Sequence, residues 1–258
     1  MRTALFLMMG LIKVAHAALP GAAQALDISG CPGAITLEQS SNIAEPRLLG
    51  SGAATGQARL EAMAAGWALR CQAAAGARGQ SNVNVTGITL NRTINVAVGH
   101  GAVAVQNIGG KTTISTGGET ATVKLQVPAG MRIVARSWSG SLQAAPGMWM
   151  VDAELASGQM HFSRLHDSTV VVDSGSLSAL EATGRLTAHL RGAGSIEVAN
   201  MRDAALDLQL TGAGSMAFRG RATSARVQAT GAGHIEIEHV TSEPSIQLRG
   251  LATVDIGR

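Results

Sequence analysis

Three carboxylates in the last third of this chain stand where hydrolytic chemistry could be done. Glu197, Glu236 and Asp255 occupy one column of a recurring pattern, the third residue after a glycine-marked corner, in the series His161, Ser178, Glu197, Ala217, Glu236, Asp255. If these segments are adjacent strands, Glu236 and Asp255 lie about 5 Å apart. A carboxylate pair at that distance can divide acid and nucleophile roles on a glycosidic bond. Glu197 would stand roughly 10 Å from Glu236, with Ala217 between them. The same column also reads as a solvated face on which acidic and neutral residues alternate. A second column, His189, Gln209, Gln228 and Gln247, is either a binding strip or a ladder of amides that hydrogen-bond one another for structural reasons.

Other chemistries find no support in the residues. The histidines show no H-E-x-x-H spacing, and His234 and His239, five apart on a strand, should face opposite sides. No serine sits in G-x-S-x-G; Ser137, Ser139 and Ser141 are corner residues of the kind that form turns. The corners Gly192-Ala193-Gly194, Gly212-Ala213-Gly214 and Gly231-Ala232-Gly233 invite a nucleotide reading, but a dinucleotide fingerprint needs a third glycine and a helix after the strand. Here each corner runs into another alternating stretch. No cofactor is expected.

The elements that must position these columns are strands. The corner-closing residues Gly140, Gly158, Gly175, Gly194, Gly214, Gly233 and Ala252 recur at steps of 17 to 20 residues, the mark of a solenoid. Two residues after each corner stand Met160, Leu177, Ile196, Met216, Ile235 and Val254; four after stand Phe162, Ala179, Val198, Phe218, Ile237 and Ile256. Both columns should point inward. Before the corners, Leu186, Ala188 and Leu190 match Leu206, Leu208 and Leu210, and then Ala225, Val227 and Ala229. One rung cannot bury enough surface to offset the entropy of ordering it, so rungs must stack. The expected fold is all-β: a parallel β-solenoid, or β-helix-like stack, in a domain over 81–258 whose rungs of about 19 residues emerge from Ser139, preceded by a small N-terminal segment with one helix.

Residues 26–80 read differently. Leu60, Met63, Ala64, Trp67 and Cys71 fall on one helical face within an Ala-rich stretch, which predicts a helix over 57–75. This segment would cap the open end of the stack or form a small subdomain of its own. The two cysteines, Cys31 and Cys71, form an even pair that reads as a disulfide, and closing such a loop stabilises by roughly 4 kcal/mol. From Asn82 the period becomes two, through Val83 and Val85, Ile94, Val96 and Val98, and Val103 and Val105; Gly109 to Thr120 reads as a loop or hairpin.

Residues 1–25 read as an export signal: Arg2, then an apolar run from Ala4 to Ile12 too short to span a bilayer, then small-x-small sites ending at Ala17 and Ala25. Cleavage after Ala25 is the first choice and after Ala17 the alternative. Removing Arg2 and Lys13 lowers the formal charge from +3 to +1. That balance, with no basic cluster, excludes nucleic acid as a partner. No later stretch is apolar enough to span a membrane as a helix.

The repeats "TGAGSMAF", "RGAGSIEV" and "TGAGHIEIEHV" behind a signal peptide resemble the auto-transporter adhesin family with a head GIN domain. "SWSGSL" and "VDSGSL" are similar to a sister group of adhesins with SG-repeat rungs. The likeness covers roughly Ile94 to Arg258, and it leaves out the Cys31 to Cys71 segment. The last corner, Gly250-Leu251-Ala252, departs from Gly-x-Gly. The resemblance implies a β-solenoid, a periplasmic, cell-surface or extracellular address, and no established enzymatic activity; the expected role is non-enzymatic. The expected partner is a glycan or an envelope protein, and an exposed terminal rung makes a homo-oligomer a further expectation.

Overall fold

The computed structural model describes residues 24–51, 58–71, 81–86, 93–98, 102–108, 111–117 and 122–257. Every regular element among them is a strand: β1 (Ala25–Asp27), β2 (Gly33–Ser40), β3 (Arg47–Ser51), β4 (Ala58–Met63), β5 (Gly66–Cys71), β6 (Ser81–Thr86), β7 (Thr93–Val98), β8 (Ala102–Ile108), β9 (Lys111–Gly117), β10 (Thr122–Pro128), β11 (Arg132–Val172), β12 (Ser176–Leu190), β13 (Ser195–Gly212), β14 (Ser215–Gly231), β15 (His234–Val240), β16 (Ser245–Gly250) and β17 (Thr253–Ile256). No helix among the described residues is long and apolar enough to cross a membrane.

From β11 onward the chain is a parallel β-solenoid of about five turns with rungs about 19 residues apart. Ser176, Ser195, Ser215, His234 and Thr253 are successive strand partners. Both expected inward columns are buried through Ile235 and Ile237. Each rung buries more than these two columns. In β13 the buried residues are Ile196, Val198, Met201, Ala204, Leu206, Leu208 and Leu210. Met201 and Ala204 fill a bend between the two alternating stretches, where the ladder shifts register. Residues there take left-handed backbone: Asp167 at φ 42°, Gly184 at 69° and Asp203 at 52°. Asp tolerates this conformation better than most residues, and the Asp167 carboxylate accepts the Arg185 N–H of the next rung at 2.9 Å.

The glycine corners are a steric requirement. Gly212 and Gly231 have φ of 134° and 129°. A Cβ on Gly231 would meet the backbone of Gly212 directly beneath it. A Cβ on Gly214 or Gly233 would meet both the backbone of the corner beneath, Gly194 or Gly214, and a leucine of the preceding rung, Leu190 or Leu210. The register places Ala229, not a leucine, at the corresponding position under the last corner, which removes the leucine contact at Ala252.

The N-terminal segment belongs to the stack. β1 runs parallel to β11, pairing Ala25 with Arg132, and β2 runs parallel to β11 and β10, pairing Gly33 with Gly140. Gly33, at φ 121°, begins the corner column, and Ile35 and Leu37 behind it are buried. Where β2 adjoins Met148, the Gln39 amide donates to the Met148 carbonyl and accepts from its N–H, both at 2.9 Å, and so extends the ladder with a side chain.

The helix expected over 57–75 is not formed in its described part. Residues 58–71 are the antiparallel hairpin β4–β5, with Leu60 opposite Leu69 and Ala58 opposite Cys71. Met63 and Ala64, assigned to the buried helical face, are exposed. Alanine's helix preference amounts to only tenths of a kcal/mol per residue. It is outweighed by the open edge of β1, which β5 covers from Gly66 to Ala68, and by the covalent tie to Cys31. The expected solenoid domain over 81–258 also takes in residues 81–117. The described residues there form two separate antiparallel hairpins, β6–β7 and β8–β9, outside the parallel sheet.

Candidate binding face

The outward amide column is assembled as its spacing requires. His189 pairs with Gln209, Gln209 with Gln228, and Gln228 with Gln247. The glutamines are exposed and His189 is half-buried. Buried apolar residues on either side of His189, Gln209 and Gln228 fix this direction, because side chains alternate along a strand. Two residues toward the bend lies the column Thr187, Asp207, Arg226, Ser245; two residues toward the corner lie Thr211, Thr230 and Arg249. Columns stand about 7 Å apart and rungs about 5 Å apart. Among the described residues, no hydrogen bond joins one glutamine side chain to the next. The amides therefore keep their donors and acceptors for a ligand or water.

The acidic column is also in register. Glu197 pairs with Ala217, Ala217 with Glu236, and Glu236 with Asp255. All three acids are exposed. Asp255, 75% exposed at its side chain, lies 3.9 Å from His234 Nε2, whose Nδ1 is 2.8 Å from the Thr253 hydroxyl. None of the four principal surface depressions is lined by Glu197, Glu236 or Asp255. The largest, of 690 Å³, opens at the last rung between His239, Val240, Ile246, Val254 and Ile256. A carboxylate pair on an open surface has nothing to exclude water or fix a sugar ring. Among the described residues no three His, Cys, Asp or Glu side chains cluster as metal ligands.

The remaining polar groups stitch rungs together. His161 bonds the Ser178 hydroxyl at 2.8 Å and His166 that of Thr183 at 3.0 Å. Arg136 pairs with Asp152, Arg191 with Glu154, and Arg221 with Asp203. The signal for such pairs is opposite charge about one or two periods apart, which a search for catalytic motifs passes over. Each is exposed and adds little by itself. Cys31 and Cys71 form a disulfide with Cα atoms 4.8 Å apart, and the buried Cys31 carbonyl accepts from Trp138 Nε1 at 2.9 Å.

No family model, curated protein or solved structure matches this chain.

Proposed function

We propose that this protein is an exported, non-enzymatic β-solenoid of the cell envelope that binds a surface glycan or envelope protein through the face of His189, Gln209, Gln228 and Gln247. The carrying observation is the in-register amide column with its hydrogen-bonding groups unspent. Amides flanked by hydroxyl and charged side chains, Asp207 and Thr211 beside Gln209 and Arg226 and Thr230 beside Gln228, suit a polar polymer that repeats along one direction, and the likeness to the head GIN domain adhesins agrees with such a role. The disulfide is compatible with an oxidising compartment. A purely structural spacer would use the same scaffold without this face. An array of cell-surface glycans and envelope proteins tests the reading. The expected result is binding that falls at least tenfold in Gln209→Glu/Gln228→Glu with the melting curve unchanged. Polysaccharide turnover lost in Glu236→Gln, with no binding to the array, would show instead a carbohydrate-active enzyme working through Glu236 and Asp255.

A further inference from the structure

The last described rung is unlike the others. Ile246 and Leu248 of β16, the counterparts of core residues Val227 and Ala229, are 43% and 49% exposed. Val254 and Ile256 of β17 are only partly buried. Among the described residues both strands present a free backbone edge, the usual template for pairing with another chain. Leu251, at the corner joining them, is 83% exposed, where the preceding corners carry Ala193, Ala213 and Ala232.

The two edges differ in height. β14 carries both β15 and β16 as neighbours, and β17 then stacks on β15, so β17 stands one strand layer beyond β16. Such a stepped end meets a second copy of itself evenly in only one way: the low edge takes the partner's high edge. Pairing β16 with β16 and β17 with β17 would leave one gap open while the other closed.

We infer that this end is a self-complementary interface on which a second copy of the chain docks about a two-fold axis, β16 of each protomer pairing antiparallel with β17 of its partner. The residues fit that register. With Gln247 opposite Asp255 of the second copy, Ile246 faces Ile256 and Leu248 faces Val254, so inward side chains meet inward side chains. The Gln247 amide meets a carboxylate, and Arg249 lies diagonal to the same carboxylate, within reach across a strand pair. The alternative β17–β17 pairing centred on Asp255 sets two like charges face to face. The corner falls beside the axis, which puts Leu251 against its own copy. The contact uses the same patch on both protomers, so it closes as a dimer rather than growing into a fibre.

The test mixes full-length Gln247→Cys with full-length Asp255→Cys under mild oxidation. The expected result is a covalent dimer in the mixture and none with Gln247→Cys alone. Sedimentation of the unmodified chain should give a dimer, and Leu251→Glu, whose side chain touches no core, should remain folded and dissociate at least ten times more readily. A monomer at tens of micromolar, a Gln247→Cys homodimer, or open-ended growth with concentration would each overturn the proposal.

Discussion

The two ends of the stack solve the same problem differently. At the N-terminal end the parallel order stops in antiparallel strands, with β4 beside β5 and β3 beside β10. The hairpin is tied by the Cys31–Cys71 bond, and its outer strand carries Arg59 and Glu61, ion-paired at 2.8 Å. Charges on an edge strand discourage further pairing. At the C-terminal end the parallel order runs to the last described rung, with Ile246, Leu248 and Leu251 in solvent. One end is finished by local chemistry that spoils it as a template. The other keeps the geometry and apolar character of an interior rung. A solenoid's repeat dictates its middle, and each end has to be specified separately.

The first way to break this contrast is to unlock the finished end. Replacing Cys31 and Cys71 by serine should cost about 4 kcal/mol in the chain-entropy account of a loop closed over 40 residues. Thermal unfolding measures the loss. Hydrogen exchange should locate it, with protection falling in β1, β4 and β5 while β13 and β14 keep theirs, because rungs interact chiefly with their neighbours. Uniform loss along the chain would mean that the two ends are one cooperative unit.

The same substitution at equivalent positions gauges the open end. Ile237 and Ile256 are direct strand partners in one inward column, the first 1% exposed and the second only partly buried. Ile237→Ala should cost about 3 kcal/mol, by lost transfer and the cavity left behind. Ile256→Ala should cost under about 1 kcal/mol in the monomer, because solvent already reaches it. Comparable losses in denaturant titrations at low protein concentration would show that the last rung is as well covered as the interior.

The middle of the molecule was legible because its period is written twice, once in corner glycines that admit no Cβ and again in the alternation of Ile196, Val198, Leu206, Leu208 and Leu210. The bend was hidden for the opposite reason. Extra residues such as Asp203 enter there, the ladder shifts, and Met201 and Ala204 turn inward with no fixed spacing from a corner. The N-terminal rung carries a readable fragment, Gly33-Ala34-Ile35-Thr36-Leu37, whose inward residues fall two and four after the glycine as in every other rung. It went unread because its stacking partner Gly140 is more than a hundred residues away. Alternation along β4 and β5 was masked by alanines, which suit either period. Of the candidate face, the columns could be read from spacing. Their open hydrogen-bonding capacity, and the exposure of Glu236 and Asp255, depend on neighbours in three dimensions.

The smallest effect concerns where the finished end begins. Ala25 is the first residue of β1, lying between Arg132 and Gly66, and a Cβ on Gly66 would collide with its backbone. Its N–H reaches the Ala65 carbonyl at 3.4 Å, and the Gln24 carbonyl accepts the Arg132 N–H at 3.0 Å. Cleavage after Ala25 would remove both groups from a rung that stacks on β11, whereas cleavage after Ala17 leaves them in place. Two backbone hydrogen bonds contribute about 2 kcal/mol together. An exported chain beginning at Ala18 should therefore be the more stable product, by that margin over one beginning at Leu26. Intact-mass measurement of the exported protein, beside melting curves of the two purified forms, decides it. A mature chain starting at Leu26 with an equal melting temperature would show that the N-terminal rung is held by its disulfide and the β2 ladder alone, and that β1 adds nothing before Leu26.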